Sequence, residues 1–306
     1  MACFKPLQGY RSKELNKNGK RSIVFNVQNG YIDMPVTLPC GRCIGCKLER
    51  SKQWAIRCMH EAALHEDNCF ITLTFAPEHY PPNGSLDKSH FQKFMKRLRK
   101  KYPEKKIKYY MCGEYGDQNG RPHYHAILFN HDFPDRELYS VRKGIRLDTS
   151  DTLSKLWPFG FNTIGNVTFE SAAYVARYVT KKITGEKAEQ HYKSVNQETG
   201  EMKPIIPEYN AMSLKDAIGK NWFDQFKSEV YPRDYVIQRG QKMRPPKYYD
   251  GLYEREDEDG FRKLKNKRVR GALQSDPEEQ TTRRLQVKEK VTKLKLSQLI
   301  RGFEND

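Results

Sequence analysis

The stretch KYYMCGEYGDQNGRPHYHAILF, residues 108–129, decides the fold. KYYMCGEYG (108–116) and RPHYHAILF (121–129) each read as a strand, and DQNG between them is a turn, so the spacing predicts an antiparallel hairpin. Side chains alternate along a strand, which puts His123 and His125 on one face about 6.6–7 Å apart while Tyr124 points the other way. Ile127 and Phe129 continue the histidine face into packing.

Working outward, NCFITLTF (68–75) is a further strand, SLDKSHFQKFMKRLRKKY an amphipathic helix, TSDTLSKLW a capped helix and FNTIGNVTFE a strand. SAAYVARYVTKKITG reads as a helix stopped at Gly185. The order strand, helix, strand, strand, helix, strand, helix predicts an α+β fold, a central antiparallel sheet flanked by helices. Around it, residues 1–66 comprise an irregular arm with one hairpin, a Cys cluster and a helix over 47–66. Residues 67–186 form the core, and 187–260 an extended loop followed by an aromatic and basic extension without a clear period. Residues 261–306 carry thirteen Lys or Arg against six acids and read as a basic tail, helical or partly disordered.

Across 306 residues, 55 Lys and Arg against 38 Asp and Glu leave a formal charge of +17, and 12% of residues are aromatic. A field of that sign and interleaved rings favour nucleic acid over cations as a partner. No apolar run is long enough for a membrane span, MACFKPLQGY lacks the apolar core of a signal peptide, and seven cysteines suit a reducing compartment. The expected location is cytoplasmic. With no G-x-x-x-x-G-K-[ST] loop, an ATP-driven motor is disfavoured.

Two imidazoles on one face can converge on one cation, and Glu114 on the partner strand supplies a carboxylate within reach, with Asp117, Asp132 or a water as alternatives. Two His and one carboxylate leave positions open for water and phosphate oxygens, an arrangement suited to Mg²⁺ or Mn²⁺. A nucleophile comes from YVARYVTKK. At helical spacing Ala172, Val175, Ala176, Val179 and Ile183 form an apolar stripe, whereas Tyr174, Tyr178 and Lys181 gather on the other side. The same Y-x3-Y spacing recurs at Tyr231/Tyr235 and Tyr249/Tyr253, but Pro232 and Gly251 argue against regular helices there. A phenol attacks phosphate poorly unless a cation assists, and Lys181 or the metal is placed to do so.

FITLTF, RPHYHAILF and YVARYVTKK, in that order, resemble the three motifs of the HUH endonucleases that initiate rolling-circle replication. PCGRCIGCKLERSKQWAIR, CGEYG and YPRDYVIQRGQKMRPPKYYD narrow the resemblance to the replication initiators of gokushoviruses, phages of the Microviridae, over roughly residues 36–255. The resemblance implies an RRM-like palm, with His123 and His125 as the metal pair, Tyr174 and Tyr178 as nucleophiles, Lys181 as the lysine that follows them and Glu114 as a third ligand. It also implies attack on a single-stranded DNA origin, a 5′-phosphotyrosine, a free 3′-OH for a host DNA polymerase, a host helicase and a site of action in the host bacterial cytoplasm. The rival readings are a related transposase or relaxase, and a non-catalytic nucleic-acid binder stabilised by zinc.

Cys40, Cys43 and Cys46 place three thiols within seven residues, and Arg50 stands where a ferredoxin run needs its fourth cysteine. Structural zinc is the better metal reading, with Cys3, Cys58, His60 or His65 as the fourth ligand. Candidate DNA contacts are Lys96, Arg97, Arg99, Lys100, Arg177, Lys182 and the tail, with Trp222, Phe223 and Tyr248 as stacking rings.

Overall fold

A computed structural model describes residues 3–116, 119–142, 144–177, 182–183, 185–195, 200–274 and 276–298. The chain divides into two compact units, one of residues 1–50 with 267–299 and one centred on residues 51–266.

In the first unit the arm is an antiparallel sheet of β1 (Leu7–Leu15), β2 (Arg21–Val24) and β3 (Gly30–Leu38), ordered β2-β1-β3. The sequence pattern suggested one hairpin; the long β3 pairs along β1 from Leu7↔Leu38 to Ser12↔Gly30. Among its described residues the buried hydrophobics are Cys3, Cys43 and Leu285, so this sheet has little apolar core. The basic tail is helical over Glu258–Leu273 and Thr282–Ser297.

The second unit is built on β4 (Asn68–Leu73), β5 (Lys108–Tyr115), β6 (Pro122–Phe129), β7 (Glu137–Arg142), β8 (Ile145–Thr149), β9 (Asn162–Gly165) and a later strand (Tyr209–Met212). These make one sheet in which every neighbouring pair is antiparallel. Its spatial order is Tyr209–Met212, β5, β6, β4, β9, β8, β7. The α+β expectation holds, and the 108–129 segment is the hairpin. Missing from the sequence reading were the β7–β8 hairpin and the edge strand Tyr209–Met212, which lies inside the predicted loop. FNTIGNVTFE is a strand only as far as Gly165, because Thr168 and Ser171 form a capping box that starts a helix at Phe169.

Every residue of β6 is buried, because helices cover both sheet faces. One face carries Ile71, Leu73, Met111, Tyr124, Ala126 and Leu128, packed against Phe91, Phe94, Met95 and Leu98 of the helix Lys88–Lys101. The other carries Phe70, Tyr110, Cys112, Ile127 and Phe129, packed against Ala55 and Cys58 of the helix Ile44–Ala62 and against Ala172, Tyr174 and Val175. A third core gathers Ile56, Phe223, Tyr231, Tyr249, Leu252 and Phe261. There Tyr249 and Tyr253 do share a helix, Lys247–Glu256, with Gly251 inside it. Tertiary packing of Tyr249 in the core and Tyr253 on the Tyr231 ring, 4.1 Å between centroids, outweighs the roughly 1 kcal/mol that glycine costs a helix.

Two histidines are buried without charge. His60 stacks on Trp222 and its Nδ1 shares a hydrogen bond with the Tyr249 hydroxyl at 3.1 Å, and burial lowers it to about 3. His131 lies between Tyr102 and Phe133, and burial lowers it to about 4. Unfolded histidine takes a proton near pH 6.5, so each contribution is complete above that pH and lost as pH falls toward the folded value. Urea unfolding at pH 7 and pH 5 should therefore show a loss of about 2 kcal/mol from His60 alone, with His131 adding in the same direction. A flat profile over this window would contradict the assignment.

Candidate metal and nucleophile site

The hairpin's closure sets the site. Gly116 donates to the Arg121 carbonyl at 3.0 Å and Gly120, at φ +61°, donates back to Gly116. That turn places Glu114 directly opposite His123 and Cys112 opposite His125. Alternation then puts Glu114, His123 and His125 on the face that Ile127 and Phe129 continue.

Three groups converge on a single oxygen, Oε1 of Glu114. His123 Nε2 lies 3.1 Å away, His125 Nε2 3.3 Å, and the Tyr174 hydroxyl donates to it at 3.0 Å. Both imidazoles are anchored at their other nitrogen. His123 Nδ1 donates to the Arg121 carbonyl at 3.1 Å, which can only accept, and that bond fixes the ring with Nε2 facing the site. His125 Nδ1 meets the Thr72 hydroxyl at 2.9 Å, and Thr72 pairs with His125 across β4. Thr72 and Arg121 were not singled out from the sequence; the signal for Thr72 is a threonine between Ile71 and Leu73 in the strand FITLTF. Burial by itself would raise the Glu114 carboxyl, but the hydrogen bonds and charges of His123 and His125 outweigh it and hold Glu114 well below the usual carboxylate range. The donor atoms of Glu114, His123 and His125 lie within 4.8 Å of one another. This compact, anchored set of two nitrogens and one carboxylate suits a divalent cation.

Tyr174 comes from the helix Phe169–Ala176, held to Ile44–Ala62 by the Ser51 hydroxyl donating to the Ala173 carbonyl at 3.0 Å. Its ring meets His125 edge-on with centroids 5.0 Å apart. Both sides of this helix are covered, since Ala172, Val175 and Ala176 are buried and Tyr174 is only 7% exposed. Arg177 caps the helix, with its guanidinium 5.8 Å from the Tyr174 ring centre, and Lys182 is half-buried. Tyr178 and Lys181 lie outside the described residues, as does Asp117. Asp132 is committed to Arg136 at 2.8 Å.

Other expected contacts lie elsewhere. Lys96 and Arg97 belong to the helix on the opposite sheet face, and Arg97 donates to the Leu156 carbonyl at 2.9 Å, joining two helices. Arg99 donates to the Ile107 carbonyl and Lys100 is exposed on the same helix. Phe223 is fully buried, Trp222 stacks on His60, and Tyr248 covers the Arg57 guanidinium at 3.9 Å.

The cysteine cluster closes with Cys3. The sulfurs of Cys3, Cys40, Cys43 and Cys46 lie within 4.8 Å of one another, Cys3 and Cys43 at 3.9 Å. A tetrahedral zinc with Zn–S bonds of about 2.3 Å needs sulfurs about 3.8 Å apart, which this arrangement fits. Backbone N–H groups of Phe4, Cys40 and Cys43 point at the sulfurs at 3.2–3.3 Å. Burial acts to raise the Cys43 thiol, but donors from Phe4 and Cys46 outweigh it and bring it to about 7. Of the other proposed fourth ligands, Cys58 is a core residue, His60 stacks on Trp222, and His65 faces Glu61 at 3.4 Å.

The chain is similar to known replication-associated proteins. The family of replication-associated proteins of the ORF2 type matches residues 68–183, the stretch holding the sheet core and both candidate motifs. Replication-associated protein ORF2 of Spiroplasma virus 4 is 35% identical over 281 residues, covering 85% of this chain and 83% of the relative. Replication-associated protein VP4 of Bdellovibrio phage phiMH2K is 31% identical, covering 83% and 78%. Replication-associated protein ORF4 of Chlamydia phage 1 is 31% identical over 70% of this chain and 53% of its own length. No solved structure matches the chain. With identity above 30% sustained over most of its length, the chain belongs to the family of phage replication-associated proteins, the one its motifs resemble.

Proposed function

We propose that the chain initiates rolling-circle replication as a metal-dependent DNA nickase and strand-transfer enzyme. The observation that carries this reading is the meeting of the Tyr174 hydroxyl and both histidines on Glu114. Glu114, His123 and His125 would hold Mg²⁺ or Mn²⁺, which when bound polarises a phosphodiester as a Lewis acid. The phenol oxygen of Tyr174 attacks phosphorus in single-stranded origin DNA, and its proton already has an acceptor in Glu114. The bond from phosphorus to the 3′ oxygen breaks, that oxygen takes up a proton, and the 5′ phosphate stays on tyrosine. The free 3′-OH is what a host polymerase extends. Tyr178 repeats the cut at the regenerated origin, and the released 3′-OH displaces the first tyrosine to close a circle, so no nucleotide is consumed. Lys181 supplies positive charge to the phenols, and Arg177 and Lys182, which flank residues 178–181, contact the DNA backbone. Zinc in the Cys3, Cys40, Cys43 and Cys46 cluster is structural.

The test is incubation with end-labelled single-stranded DNA from its own replicon plus Mn²⁺, followed by a denaturing gel and mass spectrometry of the labelled peptide. A covalent adduct on Tyr174 or Tyr178, absent under chelation, is the expected result. DNA binding without an adduct under any metal would leave a non-catalytic binding protein. Glu114→Gln should slow adduct formation by about 10²–10³, since a neutral amide replaces the ligand charge while keeping an acceptor for Tyr174. Raising Mn²⁺ should restore part of the rate, and an unchanged Mn²⁺ dependence would remove Glu114 from the ligand set.

A further inference from the structure

The row of residues that crosses the sheet through Glu114 and His123 ends on an exposed ring. Glu114 pairs with His123 across β5 and β6, Tyr124 with Leu73 across β6 and β4, and Leu73 with Asn162 across β4 and β9. Carried on by one pair, the last two registers set Thr74 between His123 and Phe161. The bond expected of that pair is present, since the Thr74 N–H donates to the Phe161 carbonyl at 2.9 Å. Asn162 turns to the opposite face, where its side-chain amide donates at 3.1 Å to Ser154 on the helix Asp151–Leu156. Alternation therefore gives Phe161 and Thr163 to the face of Thr72 and the two histidines. Two strand spacings, about 9.5 Å, separate the backbones of His123 and Phe161.

Glu114 is 2% exposed and His123 9%, whereas Phe161 is 70% exposed. One exposed apolar side chain is ordinary on a protein surface. This one, however, sits on a backbone gripped from several sides. The Thr74 hydroxyl makes a further bond to the Phe161 carbonyl at 3.0 Å, and the Ala76 N–H donates to the Phe159 carbonyl at 2.9 Å. Between them, Gly160 lies so close to the chain that a Cβ would meet the Ala76 nitrogen at 2.2 Å. From the other side of the 74–76 stretch comes Arg121, whose guanidinium donates to the Phe75 carbonyl at 2.9 Å and lies 5.5 Å from the centre of the Tyr80 ring. Arg121 is exposed, and among the described residues no carboxylate pairs with it. A fixed ring with an open face and an unneutralised guanidinium thus stand on either side of one stretch of backbone, next to His123.

We propose that Phe161 and Arg121 form a binding subsite for a nucleotide that flanks the reacting phosphate: the Phe161 ring stacks on an unpaired base, and the guanidinium of Arg121 takes a phosphate of the same strand. The inference deepens the reading of the chain as a nickase of single-stranded DNA and rests on it for the substrate. Stacking needs a free base face, which neighbouring pairs cover in a duplex, so the subsite favours single strands without reading their sequence. The guanidinium adds a charge-assisted contact that weakens with salt.

The test is fluorescence anisotropy with replicon single-stranded DNA, using a series of strands that each carry one abasic position. Native protein should bind one or two of these at least fivefold more weakly than the intact strand. Phe161→Ala should bind the intact strand at least fivefold more weakly than native protein does and be indifferent to the same abasic positions, because ring and base are lost as a pair. Phe161→Trp should restore both the affinity and the abasic effect, and an unchanged thermal midpoint in Phe161→Ala would confirm that the exposed ring serves no packing. Arg121→Gln, which keeps the carbonyl that holds His123, should lower the slope of log affinity against log salt by about 0.7. Unchanged affinity in Phe161→Ala, or an abasic penalty that persists in it, overturns the proposal, as does native protein indifferent to every abasic position. The abasic pattern in a protein that forms no adduct with Mn²⁺ would sink the nickase reading and leave the stacking site standing.

Discussion

The double variant Tyr174→Phe/Tyr178→Phe should form no covalent DNA adduct, a loss of about 10⁴ or more, while single-stranded DNA binding should stay within about threefold. Removing a nucleophile eliminates the reaction path, whereas a ring without its hydroxyl keeps its packing. Tyr174 loses one hydrogen bond, worth about 1 kcal/mol, and Glu114 keeps His123 Nε2 at 3.1 Å and His125 Nε2 at 3.3 Å. Each single variant should retain an adduct on its remaining tyrosine, since the proposed mechanism uses either phenol as nucleophile. A labelled-DNA denaturing gel and fluorescence anisotropy measure the two quantities separately. An adduct persisting in the double variant would transfer the nucleophile's role to another side chain, and binding lost in parallel would make the tyrosines contacts rather than reactants.

Removal of zinc should undo the sheet β2-β1-β3. Purified protein should carry about one zinc per chain, and Cys43→Ser should carry none. In that variant the amides of Leu7–Leu15 and Gly30–Leu38 should exchange rapidly, while β4–β6 stay protected. The magnitude follows from how little else supports this sheet: among the described residues, the first unit's buried hydrophobics are Leu285 and two of the cluster's own cysteines. A sheet so poor in core needs a covalent or metal staple, and structural zinc supplies about 10 kcal/mol or more at neutral pH. All seven cysteines are free thiols, so no disulfide takes that place. Metal analysis and hydrogen exchange check this directly. A zinc-free preparation with β1–β3 still protected would show that the thiols hold the loop by hydrogen bonding alone.

The hairpin and the shared face of His123 and His125 were legible in residues 108–129, because strand period and turn chemistry are local properties. So was the helix with Tyr174, and the crowding of three cysteines. Glu114 was named from the sequence as the candidate third ligand but with Asp117, Asp132 or a water beside it, because its position depends on register, and register depends on how Gly116, Gly120 and Arg121 close the turn. The β7–β8 hairpin was missed, as its Leu138, Tyr139 and Val141 are exposed and leave no buried stripe to read. Charge counting placed Lys96 and Arg97 among the DNA contacts, yet their helix packs on Tyr124, Ala126 and Leu128, the face opposite the histidines. Composition records how many basic groups a chain carries, whereas the choice of sheet face belongs to the packing of its apolar stripe. Cys3 joined the cluster for the same reason: thirty-six residues separate it from Cys40, and only the pairing of Leu7 with Leu38 brings their ends together. The residue types and local periods therefore carried the chemistry, and long-range pairing decided which of those groups meet.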